Sequence, residues 1–312
     1  MRVVIPGGSG QVGTILARAF QNAGDEVVVL SRTHRAAAWR VVPWDGVTVG
    51  DWAKEFDGAD VVINLAGRSV NCRYNAKNRA EILNSRVQST RVVGAAIAAS
   101  SRPPRIWLQA SSATMYSHRY DAPNDERSGV FGGHEPNVPD TWKFSIDVAR
   151  AWEAAFDEAD VPSTRKVALR TSIVMIPSSG GAFAMLLALA RRGLGGRAGD
   201  GRQYLSWIHD ADFVRALRWI IEHDHLTQAI NVTSPNPLPQ ADFMRALRHA
   251  AGIRVGLPAT TWMLEIGAVF LRTETELILK SRRVVPTRLL ESGFTFDFPR
   301  WPEAAQDLVR RR

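Results

Sequence analysis

Short hydrophobic runs rich in β-branched residues alternate with segments of helical spacing along the first 170 residues. The runs predict buried strands at residues 2–5, 26–30, 60–67, 105–110 and 166–170. The segments between them predict helices at residues 14–20, 80–99 and 141–159. Strict alternation of this kind predicts an α/β fold with a doubly wound parallel sheet. Such sheets bind ligands beyond the carboxyl ends of their strands, so the residues there are the candidates for chemistry.

A glycine-rich turn joins the first predicted strand to the first predicted helix, with the sequence Gly7-Gly8-Ser9-Gly10-Gln11-Val12-Gly13. Glycines here allow a tight turn, close approach of the backbone to a pyrophosphate, and packing of the helix on the sheet. The helix amino terminus adds unpaired N–H groups and the positive end of its dipole. The alternative is a glycine turn without a ligand. We predict a dinucleotide site formed by Gly7, Ser9, Gly10, Gln11, Val12 and Gly13.

The end of the second predicted strand distinguishes between the two nicotinamide cofactors. An NAD site usually has an acidic residue here, bonded to the ribose 2′-hydroxyl, whereas an NADP site has a cation. Ser31-Arg32-Thr33 contains no acid, and a guanidinium can bind a 2′-phosphate through two hydrogen bonds. Arg32 as an ordinary surface residue is the alternative. We predict NADP(H) as the cofactor, held by Arg32 and Ser31.

Composition and length are those of a packed globular chain. Its 312 residues are 45% hydrophobic and 22% charged, which excludes a disordered or collagen-like protein. Cys72 is the only cysteine, so an intrachain disulfide is excluded. No apolar run approaches the roughly 18 residues of a membrane span, and the amino terminus lacks a signal-peptide pattern. We expect a cytoplasmic protein with no membrane partner.

The net charge of +8 raises the question of nucleic-acid binding. Thirty-four of the 39 basic residues are arginines, and they are scattered rather than grouped. Nucleic-acid binders usually concentrate their positive charge on one face. We therefore predict no nucleic-acid partner and interpret the charge as a solvated surface. A diffuse positive field also suits a phosphorylated or anionic small-molecule substrate.

Several motifs carry a resemblance to a known family. Residues 7–13, 64–67 and 111–116 resemble the extended short-chain dehydrogenase/reductases, which include nucleotide-sugar epimerases and dehydratases. Residues 199–210, 231–237 and 283–290 are similar to an atypical epimerase-like subgroup with a carboxy-terminal domain of unknown function. The resemblance spans nearly the whole chain and implies an NADP(H)-binding Rossmann domain with a smaller lobe. It implies further cofactor contacts from Asn64, Leu65, Ala66, Gly67, Ala110 and Ser111.

The wider superfamily catalyses hydride transfer with a Ser or Thr, a Tyr, and a Lys four residues after the Tyr. Ser112 matches the Ser position. The helix that carries the other two offers Phe144 with Val148, or Ser145 with Ala149, and neither register supplies a Tyr or a Lys. The usual proton-relay pair is therefore absent.

Two interpretations of this absence remain open. In one, a replacement acid comes from elsewhere, with Tyr116 as the leading candidate, ahead of His118 and Lys143. A packing role for Tyr116 is an equal alternative, because a buried tyrosine needs only one hydrogen-bond partner. In the other, the protein is a catalytically silent NADP-binding regulatory or interaction module, since fold does not decide function. We predict a hydride-transferring, epimerase-like oxidoreductase acting on a small carbonyl, alcohol or nucleotide-sugar-like substrate.

The remainder of the chain predicts the substrate side. We place an NADP-binding domain at residues 1–175, to which elements of 203–235 return, and a mainly helical lobe at 176–312. The lobe includes the domain of unknown function, at about 255–305. Arg202 and Gln203 are candidate substrate contacts, and His209 is interpreted as a structural link. The apolar residues 261–271 predict packing within the lobe or a dimer face, so a monomer and a homodimer both remain open. No metal-ligand spacing is present.

Overall fold

The computed structural model describes residues 1–33, 36–270 and 274–312. In the first part of the chain the elements, in order, are β1 (Arg2–Pro6), α1 (Gln11–Asn22), β2 (Glu26–Ser31), β3 (Arg40–Pro43), β4 (Val61–Asn64), α2 (Ala76–Ala98), β5 (Ile106–Ser112), α3 (Asp140–Asp157) and β6 (Arg165–Thr171). Short 3-10 helices lie at Asp51–Phe56 and Ala113–Met115.

Further strands and helices complete the fold. They are β7 (Ile173–Met175), α4 (Ala182–Arg191), β8 (Tyr204–Leu205), β9 (Trp207–His209), α5 (Asp210–Glu222), β10 (Gln228–Val232), β11 (Leu238–Pro239), α6 (Gln240–Ala250), α7 (Thr261–Phe270), α8 (Glu276–Leu279), α9 (Thr287–Glu291) and α10 (Trp301–Arg310). No helix within the described residues is both long enough and apolar enough to cross a membrane.

Seven parallel strands form the main sheet, in the order β3-β2-β1-β4-β5-β6-β10. The direction in which the strands are added reverses between β1 and β4, which opens a crevice at their carboxyl ends. This is the doubly wound sheet that the alternating pattern predicts. β10 pairs with β6, so a strand from the second half of the chain joins the first sheet.

Helices cover both faces of the sheet, which is why its strands are continuous hydrophobic runs. On one face Val3 and Ile5 of β1 pack in a core cluster with Phe20 of α1 and Phe213 of α5. Val4, between them in sequence, points to the other face, where a second cluster includes residues of α2 and α3. A third cluster joins α4, α6 and α10 in the smaller, mainly helical carboxy-terminal lobe.

Local chemistry accounts for most differences from the predicted boundaries. α2 begins at Ala76 because the side chain of Asn75 accepts a hydrogen bond from the backbone N–H of Asn78 at 2.8 Å. The strand predicted at 60–67 ends at Asn64, whose side chain accepts from the N–H of Ala66 and turns the chain. β3 is not predicted at all, since it is a four-residue, half-exposed edge strand.

Helix α7 covers residues 261–270 of the apolar stretch predicted at 261–271. Leu271, the last residue of that stretch, lies outside the described residues. Trp262 and Ile266 are 65% and 50% exposed on this helix, whereas Ala268 is buried. Packing within the lobe and a dimer face therefore both stay predictions for this stretch.

Candidate cofactor and substrate site

The glycine turn has the shape that a dinucleotide diphosphate requires. Gly7 has a φ of +72°, and a Cβ there would lie 2.6 Å from Ala66 Cα. A Cβ at Gly13 would lie 2.3 Å from the carbonyl oxygen of Gly8, so the turn packs directly on α1. A Cβ at Gly10 would instead meet no atom within 4 Å, and Gly10 caps α1 without a side-chain hydrogen bond. Open space next to unpaired helix N–H groups fits a diphosphate.

A groove of about 520 Å³ opens on one side of this turn. Eight of the predicted cofactor residues line it: Gly7, Ser9, Gly10, Ser31, Arg32, Leu65, Ala66 and Gly67. Trp44 and the α2 residues Asn84 and Gln88 form other parts of its wall. The groove has the position expected for the adenosine half of the cofactor, since it borders the end of β2.

Arg32 is exposed at the edge of this groove and forms no ion pair with any residue that the structure describes. The buried Ser31 hydroxyl donates to the carbonyl oxygen of Thr33 at 2.9 Å and accepts from its N–H, which fixes the turn carrying Arg32. Asp45 also lines the groove. Hydrogen bonds from the side chain and backbone of Thr48 lower the pKa of Asp45 to about 2. The Asp45 carboxylate is therefore ionised and bound to groups of its own loop.

A cavity of about 450 Å³ lies on the other side of the turn, at the carboxyl ends of β4, β5 and β6. Six residues predicted for the cofactor or for catalysis line it: Gln11, Val12, Leu65, Ala110, Ser111 and Ser112. Leu65 lines both spaces, so the groove and the cavity meet across the start of α1. The Gln11 side chain donates to the carbonyl oxygen of Ser179 at 2.6 Å, which brings the loop after β7 over the turn.

Two predicted cofactor residues act behind the surface. Gly13 is buried between α1 and the turn. Asn64 is buried and donates to the side chain of Gln109 at 3.0 Å, so it sets the end of β4. Ser111 lines the cavity, but its hydroxyl donates to Glu153 at 2.5 Å.

The carboxy-terminal lobe supplies a buried carboxylate, Glu276, to the wall of the cavity. Its Oε1 accepts from the Thr114 hydroxyl at 3.0 Å and from Arg282 at 3.1 Å. Its Oε2 accepts from the Ser145 hydroxyl at 2.5 Å. Sequence reasoning did not single out Glu276, Thr114 or Arg282. Glu276 is 162 residues from Thr114 and 131 from Ser145, and these separations leave no local signal.

Lys280 lies behind this cluster with no exposed side-chain surface, and its Nζ donates to the carbonyl oxygen of Thr114 at 2.6 Å. Burial lowers the pKa of Lys280 from 10.5 to about 7, and the positive charge of Arg282 acts in the same direction. In the unfolded chain Lys280 keeps its proton until the pH approaches the ordinary pKa of 10.5. Below pH 7 the side chain is charged in both states, so folding must bury a charge and the cost to stability is largest there. That cost declines as the pH rises from about 7 to 10.5.

Lys280→Met is therefore expected to change the pH dependence of stability. The free energy of unfolding of the variant, minus that of the wild type, is largest at pH 6 and shrinks as the pH rises through 7 to 10. Urea unfolding at three pH values in this window measures the difference. A difference that is constant with pH would contradict the lowered pKa.

Comparison with known proteins places these features in a family. Residues 3–233 match the family model described as NAD-dependent epimerase/dehydratase, and residues 259–308 match the domain of unknown function DUF1731. The human epimerase family protein SDR39U1 is 31% identical over 99% of this chain and 100% of its own. The chain belongs to the NAD-dependent epimerase/dehydratase family. The resemblance stated from the sequence motifs is thereby confirmed, and so is the fold class.

A bacterial relative and a crystal structure of the human protein bear further on this family member. Epimerase family protein YfhF of Bacillus subtilis is 27% identical, over 100% of this chain and 99% of its own. A crystal structure of human SDR39U1 (isoform 2) with NADPH superposes with a TM-score of 0.86 at 29% identity, covering 100% of both chains. The NADP(H) prediction agrees with the cofactor in that relative.

This family member departs from the superfamily pattern on α3, whose residues Phe144, Ser145, Val148 and Ala149 all line the cavity. In both registers, the two residues at the Tyr and Lys positions therefore face the cavity, where catalysis is expected. Neither register places a Tyr or a Lys there. Tyr74, from the loop before α2, lies at the same wall, with its ring 5.1 Å from that of Phe144 in an edge-on arrangement.

Tyr116 is buried but does not line the cavity or the groove. Its hydroxyl donates to Asn231 Oδ1 at 3.0 Å and accepts from Arg170 at 3.1 Å. Arg170 in turn forms an ion pair with Glu153 at 2.8 Å. This placement favours the packing role, the alternative to the proton donor that the sequence suggested.

Tyr116→Phe is expected to lower the free energy of unfolding by about 1–2 kcal/mol, because Asn231 and Arg170 each lose a buried hydrogen-bond partner. NADPH affinity is expected to stay at the wild-type value. Chemical unfolding and calorimetric titration measure the two quantities. Unchanged stability together with a loss of NADPH turnover would return Tyr116 to the role of acid.

The predicted substrate contacts Arg202 and Gln203 do not line the cavity that holds Ser112. Arg202 is exposed, and the buried Gln203 donates to the carbonyl oxygens of Ala198 and Ile278. Gln203 therefore anchors the carboxy-terminal segment, because the turn before β8 faces that segment instead of the cavity.

The remaining candidates also have structural contacts. His118 accepts from the N–H of Ser281, and Lys143 is exposed. His209 caps α5 and lies 3.1 Å from Asp307 of α10, which agrees with its interpretation as a link. Within the described ranges, no group of three or more His, Cys, Asp or Glu side chains is arranged to hold a metal ion.

Proposed function

We propose that the chain is an NADPH-dependent, epimerase-like oxidoreductase that transfers hydride to or from a carbon of a small carbonyl, alcohol or nucleotide-sugar-like substrate. One observation carries the proposal: the groove beside Arg32 and the cavity at Ser112 meet at Leu65, across the unpaired N–H groups of α1. An extended dinucleotide has room for its adenosine half in the groove and its nicotinamide half in the cavity.

Each part of the site has a task in this proposal. The glycine turn and the α1 N–H groups bind the diphosphate, and Arg32 binds the 2′-phosphate. The bound nicotinamide supplies or accepts hydride. Ser112 Oγ accepts from the N–H of Thr114 at 3.2 Å, which leaves its proton to donate to a substrate oxygen.

The walls of the cavity suggest the class of substrate. Val148, Trp152 and Ile176 are among several apolar side chains there, and they exclude water from the reacting atoms. The Arg86 guanidinium lines the same cavity 4.9 Å from the Trp152 ring. Burial lowers the pKa of Arg86 only to about 10, so it stays charged at neutral pH. A cation in apolar surroundings favours a substrate that carries a phosphate or a carboxylate.

A catalytically silent NADPH-binding module is the second candidate function. It is favoured by Phe144 and Val148, which stand at the cavity wall in one of the two registers of the missing pair. In that case the protein binds NADPH and does not oxidise it.

Calorimetric titration with NADPH and NADH tests the cofactor, and loss of NADPH absorbance tests turnover with aldehydes, ketones, 2-keto acids and 4-keto nucleotide sugars. NADPH binding together with oxidation by one of these classes is the expected result. Binding with no oxidation across the whole set supports the silent module. No heat with either cofactor overturns both functions.

A further inference from the structure

The cavity holds one phenol. Among the described residues that line it, Tyr74 is the only tyrosine, and it faces the position on α3 where the superfamily's tyrosine is missing. A phenol, with an ordinary pKa near 10, is a much stronger acid than the aliphatic hydroxyls of Ser112, Thr114 and Ser145 at the same wall. Tyr74 is therefore the best neutral proton donor at this wall.

The loop that carries Tyr74 is held at both of its backbone polar groups. The Tyr74 N–H donates to Glu274 at 2.7 Å, and its carbonyl oxygen accepts from Arg79 at 2.8 Å. The edge-on contact with Phe144 fixes the ring against α3. A catalytic hydroxyl requires this kind of positioning, because small displacements of reacting groups cost large factors in rate.

A series of polar side chains leads away from the phenol. Ser145 lines the cavity next to Phe144, against which the Tyr74 ring packs, and its hydroxyl donates to Glu276 Oε2 at 2.5 Å. Arg282 donates to the other oxygen of Glu276 and holds the carboxylate in place. The carboxy-terminal lobe thus supplies the end of a proton path whose start lies in the Rossmann domain.

We propose that the Tyr74 hydroxyl exchanges the proton with the substrate oxygen, and that Ser145 and Glu276 position it and carry the proton onward. The inference rests on the proposed function. In the reduction direction, hydride bonds to the carbonyl carbon, the π electrons move to oxygen, and that oxygen takes the Tyr74 proton. Afterwards a solvent proton adds to the Glu276 carboxylate. Glu276 passes this proton to Ser145 as Ser145 gives its own proton to the Tyr74 oxyanion, which leaves Glu276 ionised again; oxidation of an alcohol runs the same transfers in reverse.

The surroundings of Tyr74 favour its protonated form. Burial is the largest cause that raises its pKa, and the negative charge of Glu276 adds to it, while the Ser145 hydrogen bond and the charge of Arg282 lower it. The other titratable groups near it are Cys72 of its own loop, Arg86 of α2, and Glu274 and Arg79, which bind its backbone. Tyr74 is therefore a neutral phenol at pH 7, the form that a proton donor needs.

The first test needs no substrate. The chain has four tyrosines, so a protein labelled at tyrosine 13Cζ gives few signals, and that of Tyr74 is the one missing in Tyr74→Phe. We expect the pKa of this hydroxyl to be lower by at least about 1 in the NADP+ complex than in the NADPH complex, because the oxidised ring is positive. Equal values in two complexes that both form would overturn the proposal. Failure of either cofactor to bind would instead overturn the proposed function.

The second test compares turnover with NADPH and 4-nitrobenzaldehyde as the probe. Tyr74→Phe is expected to lower kcat by about 100-fold or more, with KM and NADPH affinity unchanged. Tyr204→Phe, which removes a phenol outside the cavity, is expected to keep the wild-type kcat. Glu276→Gln is expected to lower kcat and also to lower the Tyr74 pKa, since it removes a negative charge.

A wild-type kcat in Tyr74→Phe would overturn the proposal, because this variant keeps the ring and its packing. Equal losses in Tyr74→Phe and Tyr204→Phe would also overturn it. If the wild type does not reduce the probe, the tyrosine titration in the two complexes decides alone.

Discussion

Arg32→Ala lowers the affinity for NADPH by about 10- to 100-fold and leaves the affinity for NADH unchanged. A charge-assisted hydrogen-bonded contact to a phosphate is worth about 1.5–3 kcal/mol, which corresponds to this range. Arg32 is exposed and forms no ion pair within the described parts of the chain, so its removal leaves no buried charge behind. The loss is therefore one of recognition, with the fold intact. Calorimetric titration of both cofactors measures it.

Arg18→Ala is the matched control, because it removes another exposed positive charge, from a position on α1 that does not line the groove. It is expected to change neither affinity by more than about twofold, since solvent and salt screen an exposed charge outside the groove from the phosphates of the cofactor. Equal losses of NADPH and NADH in Arg32→Ala would show that Arg32 contacts the diphosphate or adenine that both share. Unchanged NADPH affinity would remove Arg32 from the site.

The dinucleotide half of the site was predictable because its determinants are local. Gly7, Gly10 and Gly13 stand within seven residues of each other, and each has a separate mechanical reason in the structure. Arg32 is the first residue after β2, so predicting the end of that strand is enough to identify it. The glycine turn and the position of Arg32 each depend on a few neighbouring residues, so both can be predicted from the local sequence.

The substrate half was less predictable because its polar groups meet only in the folded chain. Glu276 and Ser145 are 131 residues apart, and Glu276 and Thr114 are 162 apart. A Glu four residues before a Lys, as Glu276 is before Lys280, is more typical of a solvated helix face than of a buried cluster. Nothing in the local pattern indicates that both side chains are buried.

Tyr74 and Tyr116 show where inference from spacing fails. Tyr116 is the last residue of the motif at 111–116, four residues after Ser112. The 3-10 helix after β5 nevertheless places the Tyr116 hydroxyl against Asn231, away from the cavity. Tyr74 belongs to no motif, although a signal was present: Asn75 predicts a helix start, which places Tyr74 in the loop between β4 and α2. Loops at the carboxyl ends of parallel strands border the ligand, so this tyrosine was a candidate by position.

Gly10→Ala is expected to abolish NADPH binding without unfolding the protein. The φ of Gly10 is −76°, which alanine adopts freely, and its new methyl group would meet no protein atom within 4 Å. That methyl group instead takes the space beside the α1 N–H groups that the diphosphate needs. We expect a loss of affinity of at least about 100-fold, from steric exclusion and lost hydrogen bonds to phosphate, with an unchanged Tm. Gly267→Ala is the control, at an open glycine position that does not line the groove.

Gly13→Ala is expected to act in the opposite way, on the fold itself. Its methyl group would lie 2.3 Å from the Gly8 carbonyl oxygen and 2.4 Å from Gly8 Cα, and these backbone atoms have no room to move within the turn. Overpacking of this kind costs about 3 kcal/mol or more, so Tm falls by several degrees and NADPH affinity falls with it. Thermal unfolding with and without NADPH separates the two variants. If Gly10→Ala retained NADPH binding, the open space above Gly10 would not be the diphosphate site, and the path from the groove to the cavity would have to run elsewhere.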